Sequence, residues 1–303
     1  MIELKHISRS FGDIAAVKDV SFEIRAGRIT IVAGADGAGK STLFKIMVGL
    51  VRKDSGAVFL KGEDIGDDYR KMTAVTGYMP ERFSLYPDLS VEENLNFFSD
   101  IYRVPVKERE ERKQRLLETT GMLPFKNRRA GALSGGMKQK LSLSCILLSA
   151  PEFIILDEPT TGVDPLSRIE FFNIIKELKT EGKTIVMSTP YLDEAEQGDD
   201  IVFLKDGRVI KKDSIERLKQ NFPARLFRIL PRGNIFDIMK DLENRKELRA
   251  NLYLRGKYIK YLRTGQQDHI DWIPHLKVEE EKPGLEDMYI YYERMAAGDM
   301  DME

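Results

Sequence analysis

The chain has 303 residues, 42% of them hydrophobic, with 48 basic residues against 49 acidic ones. That length predicts a large α/β unit with a smaller appendage, and the near-cancelled charge argues against a protein built to hold nucleic acid, whose phosphates recruit net positive charge. A single cysteine, Cys145, excludes an internal disulfide and fits a reducing compartment, and no uninterrupted apolar stretch reaches the ~18 residues that a membrane-spanning helix needs.

Residues 1–8 alternate like a strand and carry no apolar signal-peptide segment. Residues 2–7, 20–24 and 29–33 read as strands, and 43–50 repeats at helical spacing. Residues 91–103 place apolar side chains on a helical face, opened by Ser90 with Glu93 at capping-box spacing. The charged run 107–120 reads as an exposed helix. Another helix begins just after Leu133-Ser134-Gly135-Gly136 and carries Leu141, Cys145 and Leu148 on one face, which makes Cys145 a core residue. Strands return at 153–156, 184–187 and 201–204, with a helix at 166–179. Such alternation predicts a mainly parallel sheet covered on both faces. Beyond about residue 220, segments 226–230, 248–254 and 258–262 read as strands and 235–242 and 285–294 as helices, with Trp272 as a packing anchor. The chain therefore reads as a unit over 1–220 with its helical part at about 84–150, an α+β appendage over 221–295, and a flexible acidic tail over 296–303.

The run Gly34, Ala35, Asp36, Gly37, Ala38, Gly39, Lys40, Ser41, Thr42 falls between a strand and a helix. Its glycines let successive backbone N–H groups face one concavity, and the following helix adds its positive end, so polyphosphate is the expected occupant. Lys40 is placed to reach the β- and γ-phosphates and the Ser41 hydroxyl to ligate Mg²⁺. The apolar run 153–156 ends in two carboxylates, which a buried strand tolerates only where something charged lies at its tip. Asp157 is placed to hold Mg²⁺, and Glu158 to orient or deprotonate an attacking water. In Ser134, Gly135, Gly136 and Met137, a hydroxyl, glycine amides and a helix N-terminus form a second anion-binding surface. A chain that already holds a triphosphate in its own loop does not need it. The economical inference is a dimer in which each ATP lies between one chain's glycine loop and its partner's Ser-Gly-Gly.

In these motifs and their order, residues 2–220 resemble the ATP-binding subunits of ABC transporters. The resemblance implies an α/β P-loop NTPase fold with a mixed sheet and a helical subdomain, followed by a small C-terminal α+β appendage. It implies that Phe11, with Val17 nearby, takes the adenine, that Glu81 belongs to a Mg²⁺-binding loop that senses the γ-phosphate and touches the membrane partner, and that the loop at Asp164 bridges the two ATP sites. Residues 86–95, the run after Ser134-Gly135, and 191–196 resemble the drug- and polymer-exporting branch in particular.

Three positions depart from the family pattern. Glu81 replaces a glutamine and keeps an oxygen ligand. Asp36 replaces an asparagine; a carboxylate about 6 Å from a phosphate is repelled by roughly 3 kcal/mol at an effective dielectric near 20, so Asp36 is expected to point outward. Pro190 stands where the family has a histidine that touches the γ-phosphate, and proline offers no side-chain donor and no N–H. Losing one preorganised donor predicts hydrolysis slower by ~10²–10³-fold, unless Thr189 or Tyr191 substitutes.

The resulting expectation is an ATP-binding, energy-coupling subunit of an ABC exporter, with ATP and Mg²⁺ as cofactors. It would act at the cytoplasmic face of the membrane with separate permease subunits and a second ATP-binding chain, a heterodimer being favoured over a homodimer, and without nucleic acid. The alternatives are an ATP-binding regulatory clamp with little hydrolysis and a soluble non-transport ABC ATPase.

Overall fold

The computed structural model describes residues 1–82, 85–231, 233–244, 251–264 and 276–298, and the chain divides into two units, Met1–Lys212 and Asp213–Glu303. Trp272 and residues 299–303 lie outside the described residues.

In the first unit the elements are, in chain order, β1 (Ile2–Phe11), β2 (Ile14–Ile24), β3 (Ile29–Ala33), α1 (Lys40–Met47), β4 (Ser55–Leu60), β5 (Glu63–Asp64), α2 (Arg70–Val75), β6 (Thr76–Met79), α3 (Val91–Ile101), α4 (Val106–Thr119), α5 (Gly135–Leu147), β7 (Phe153–Leu156), α6 (Pro165–Thr180), β8 (Thr184–Thr189), α7 (Leu192–Ala195), β9 (Asp200–Lys205) and β10 (Arg208–Ser214). One sheet has the order β2-β1-β4-β5 and pairs antiparallel; a six-stranded sheet has the order β10-β9-β3-β8-β7-β6, with β9, β3, β8, β7 and β6 parallel. Every residue of β3, β7 and β8 is buried, which is why these strands read as unbroken apolar runs. Leu43, Phe44, Ile46 and Met47 of α1 share one core with Ile2, Leu4 and Ile7 of β1 and with Val32, Ile155 and Val186 of the parallel sheet.

Parallel register positions the site. Ala33 pairs with Thr189 and Leu156 with Met187, so the loops that begin at Gly34, Asp157 and Pro190 all leave the same edge of the sheet. The carboxyl end of a parallel sheet is where ligands of such folds bind.

Helices α3, α4 and α5 enclose a separate core of Val91, Leu95, Leu117, Leu133, Leu141, Cys145 and Leu148. The capping box at Ser90 and Glu93 forms as the spacing predicts, and burial in apolar surroundings pushes the Cys145 thiol up. Helix α4 is largely exposed, as its charge suggests, but packs one face: Lys113 and Leu117 are buried, and the Lys113 Nζ donates to Asn96 Oδ1 at 2.6 Å and pairs with Glu110 at 2.7 Å. Its aliphatic stem covers apolar surface while its charge is satisfied locally, so a charged sequence conceals a packed face.

The second unit comprises α8 (Ile215–Gln220), β11 (Ala224–Leu230), α9 (Ile235–Glu243), β12 (Leu252–Arg255), β13 (Tyr258–Thr264), β14 (Lys277–Glu281) and α10 (Leu285–Ala297), with an antiparallel sheet of order β12-β13-β11-β14. Strict alternation splits the sheet's side chains between two cores. Leu226, Leu262 and Tyr253 pack with Tyr291 of α10, while Ile229, Ile259 and Leu252 pack with Met239 and Leu242 of α9. Strand β14 is acidic and has no apolar signature. It is held by cross-strand pairs, with the Arg225 Nε donating to Glu280 at 2.7 Å and Arg228 pairing with Glu279 at 2.5 Å.

At the start of β9, Asp200 ties the sheet to the turn before β3. The Arg28 Nε and Nη2 donate to its two oxygens at 2.7 and 2.8 Å, and Arg25 donates as well. The hydrogen-bonded carboxylate holds the Arg28 guanidinium above its ordinary range. Asp200→Asn leaves two guanidinium groups without their anion. The expected result is a loss of about 1–3 kcal/mol in unfolding free energy, read as a lower denaturant midpoint at unchanged slope.

Candidate functional site

Residues 34–39 turn on two glycines with no tolerance for a side chain. Gly39 caps α1 at φ 102°, where an added Cβ would lie 2.3 Å from the Ala16 carbonyl oxygen, and at Gly34 it would lie 2.2 Å from the carbonyl oxygen of Leu204. The loop is thus clamped between β2 and the end of β9. The turn at Asp206 and Gly207 adds to the clamp, since the Gly207 N–H donates to Ala38 at 3.0 Å and the Lys18 N–H to Gly207 at 2.7 Å.

A cavity of about 700 Å³ opens over this loop. Among the residues singled out by the sequence, Asp36, Gly37, Gly39, Lys40, Ser41, Thr42, Glu81 and Glu158 line it. Ala16, Lys18, Thr161, Asp206 and Gly207 also line it and carry no sequence signal of their own. Asp36 is exposed and is one of the lining residues.

Lys40 is 3% exposed, and its ammonium is saturated. The Nζ donates to the carbonyls of Gly34 at 2.8 Å and Ala35 at 3.1 Å and pairs with Glu158 Oε1 at 3.0 Å. Isolated ammonium burial is costly, so the lysine holds these partners until something more anionic replaces them. Beside it, the Ser41 hydroxyl donates to Asp157 Oδ1 at 3.0 Å, and the Ser188 hydroxyl donates to the same oxygen at 2.7 Å. The Tyr78 hydroxyl lies 3.5 Å from Asp157 Oδ2, and burial together with that carboxylate pushes the phenol up. Glu158 has φ 48°, a left-handed conformation that costs a non-glycine residue about 1–3 kcal/mol. Its N–H donates to Ser188 Oγ at 2.9 Å, and Thr161 donates to its carboxylate at 3.3 Å.

The donor set around Ser41, Asp157 and Glu81 is all oxygen, which suits a hard divalent cation. Among the described residues no cluster of three or more His, Cys, Asp or Glu side chains could hold a metal unaided. Such a site matches Mg²⁺, which takes one or two carboxylates and completes its shell with water and substrate phosphates.

The remaining sequence-selected residues stand outside the cavity lining. Val17 is 1% exposed in the core, beneath its lining neighbours Ala16 and Lys18, and Ala38 is also buried. Phe11 is exposed at the end of β1, with the Arg9 guanidinium 4.6 Å from its ring centre. Ser134 caps α5 by accepting from the Met137 N–H at 3.3 Å, and Gly135 and Gly136 open the helix. Gly136 admits Ser167 of α6 so closely that a Cβ would lie 2.4 Å from it. Asp164 caps α6 by accepting from the Ser167 N–H at 3.0 Å, which holds its carboxyl below the ordinary range. Two phrases far apart in sequence therefore meet at one helix junction.

Pro190 is half-buried where β8 ends. The Thr189 hydroxyl donates to Glu194 Oε2 at 2.6 Å, and Thr160 donates to the same oxygen at 2.7 Å. Burial raises the Glu194 carboxyl despite these donors. Tyr191 lies under the Arg168 guanidinium, 4.8 Å from its ring centre. Both side chains flanking Pro190 are thus engaged with partners of their own.

A family model described as ABC transporter matches residues 17–161. The probable multidrug ABC transporter ATP-binding protein YbhF of Escherichia coli is 38% identical over 291 residues, covering 92% of this chain and 49% of its own length. The Nod factor export ATP-binding protein I of Burkholderia lata is 34% identical over 210 residues, 69% of either chain. The chain thus spans about half the length of the curated relatives it first matches. Among solved structures, an ATP binding subunit of an ABC transporter superposes with a TM-score of 0.65 at 31% identity, covering 73% of this chain and 93% of that one. A dimeric bacterial ABC transporter cassette superposes with a TM-score of 0.64 at 29% identity, covering 71% and 99%.

Replacing Gly39 by alanine forces a Cβ against the Ala16 carbonyl in a conformation that L residues rarely adopt. The expected outcome is at least about tenfold weaker ATP binding (about 1.4 kcal/mol), measured by titrating a fluorescent ATP analogue, with the far-ultraviolet circular dichroism spectrum unchanged.

Proposed function

This chain belongs to the ABC transporter family as one of its ATP-binding members, and on that premise we propose that it is the energy-coupling subunit of an exporter. The observation that carries this reading is the convergence of Lys40, Ser41 and Glu158 on one cavity, with Asp157 bonded to Ser41 behind it. ATP enters along the glycine loop, its adenine toward Phe11 and the Val17 region. The Lys40 ammonium exchanges the Gly34 and Ala35 carbonyls and Glu158 for β- and γ-phosphate oxygens. Ser41, Asp157 and Glu81 would hold Mg²⁺, which when bound neutralises charge developing on the transferred phosphoryl group. Glu158, released from Lys40, orients and deprotonates the attacking water.

Ser134, Gly135, Gly136 and Met137 serve the ATP held by a partner chain, and the Asp164 loop bridges the two sites. Closure of such a dimer around ATP, and its reopening after hydrolysis, is the motion passed to permease subunits through the Glu81 region. Among the described residues no helix is long and apolar enough to cross a membrane. The reading therefore places this chain peripherally on the cytoplasmic face, beside separate permease chains. In domain terms, 1–220 is the ATP-binding domain with its helical subdomain at about 84–150, and 221–295 is an accessory domain. Names such as multidrug transporter and Nod factor export protein among the relatives support the exporting direction.

Pro190 supplies no donor for the γ-phosphate, and the Thr189 hydroxyl is committed to Glu194. That commitment favours slow hydrolysis at this chain's own loop and a second, histidine-bearing ATP-binding partner. It also supports the second reading, a regulatory clamp that binds ATP and barely turns it over. The test is ATP hydrolysis by the parent chain, Glu158→Gln and Pro190→His. The proposal expects the parent to bind ATP but turn over near the Glu158→Gln level, with Pro190→His at least tenfold faster. Fast parental turnover abolished by Glu158→Gln would show that the site is competent without the histidine.

A further inference from the structure

Glu158 is held in an unfavourable backbone conformation, φ 48°, in a chain where most such positions are glycines. A residue in that region keeps its conformation only when its surroundings over-determine it. The side chain that does so here belongs to neither the glycine loop nor the strand carrying Glu158. Ser188, the penultimate residue of β8, is fully buried. Its Oγ accepts from the Glu158 N–H at 2.9 Å and donates to Asp157 Oδ1 at 2.7 Å. One hydroxyl thus fixes both carboxylates through different atoms: the backbone of one and the side chain of the other. Its two hydrogen bonds run in opposite senses, which a hydroxyl supplies well, a thiol only weakly and a methyl not at all.

We propose that Ser188 is a positioning residue for phosphoryl transfer. It pins the left-handed Glu158 so that the carboxylate faces Lys40 and the cavity, and it orients Asp157 toward the cation that Ser41 would share. The argument rests on the reading of Glu158 and Asp157 given above. Without Ser188, the Glu158 N–H has no partner and the peptide relaxes toward an ordinary conformation, turning the carboxylate away from the γ-phosphate position. Asp157 keeps only Ser41 and the distant Tyr78 hydroxyl to set its rotamer. The two hydrogen bonds of Ser188 Oγ go to Glu158 and Asp157 and not to residues 34–40, so affinity for ATP without Mg²⁺ is expected to be spared. Outer partners of metal-ligating carboxylates are typically worth ~10–100-fold in metal affinity or activity.

The experiment takes the full-length Pro190→His chain as its parent, so that hydrolysis is measurable, and compares it with the same chain carrying Ser188→Ala or Ser188→Cys, a near-isosteric replacement that guards against a packing defect. Three quantities are read: amide hydrogen exchange over residues 157–161, the dissociation constant of ATP without Mg²⁺, and single-turnover hydrolysis at saturating Mg²⁺-ATP, with Glu158→Gln as the zero. The expected result is at least tenfold faster exchange at the Glu158 amide, at least tenfold slower hydrolysis, and an ATP dissociation constant within threefold of the parent. Unchanged exchange, unchanged hydrolysis above the zero, or an affinity that falls in step with the rate would overturn the proposal. Should Pro190→His itself hydrolyse no faster than Glu158→Gln, the hydrolytic reading of this site has failed. Ser188 is then decided by exchange together with the Mg²⁺ midpoint for ATP binding, expected to rise about tenfold in both variants; an unmoved midpoint would sink it.

Discussion

A buried ammonium cannot stand alone, and that constraint organises the site. Lys40 enters α1 as its first residue, points back beneath its own loop, and satisfies its charge with Gly34, Ala35 and Glu158. The loop must curl tightly enough to present those carbonyls, which requires glycine where β2 and β9 press against it. The acidic end of β7 must arrive within 3.0 Å, which requires the parallel register that aligns β7 with β8 and β8 with β3. On the function proposed above, a phosphate would exchange with these partners at Lys40, and the exchange would release the carboxylate assigned to the chemistry.

The same packing joins distant parts of the chain at a second place. Gly136 at the start of α5 accommodates Ser167 of α6, directly after the Asp164 cap. Glu194 adds a further tie, since its buried carboxylate receives both Thr160, beyond β7, and Thr189, at the end of β8. The hydroxyl beside Pro190 is therefore not free, because Thr189 already donates to Glu194.

Much of the first unit was legible because its signals are local. Unbroken apolar runs gave β3 and β7, helical spacing and a capping box gave α3, and the position of the glycines between strand and helix gave the phosphate loop. Other features depend on partners remote in sequence. Strand β14 carries no apolar pattern and exists through Arg225 and Arg228 on its neighbour. Helix α4 is exposed as its charges suggest, but its packed face is concealed because Lys113 hides a buried stem under a charged name. Val17 is buried in the core while its neighbours Ala16 and Lys18 line the cavity, a division that sequence alone does not show. The turn at Asp206 and Gly207 and the Ser188 hydroxyl were invisible for the same reason: each matters only because register brings it beside the loop or the carboxylates.

The exchange of partners at Lys40 is best tested by its geometry in a crystal structure of the full chain with Mg²⁺ and a non-hydrolysable ATP analogue. The account predicts that the Lys40 Nζ leaves Glu158, now 3.0 Å away, for the β- and γ-phosphate oxygens, with the Glu158 carboxylate turned toward the space beyond the γ-phosphate. A bound analogue beside an intact Lys40–Glu158 pair would contradict it.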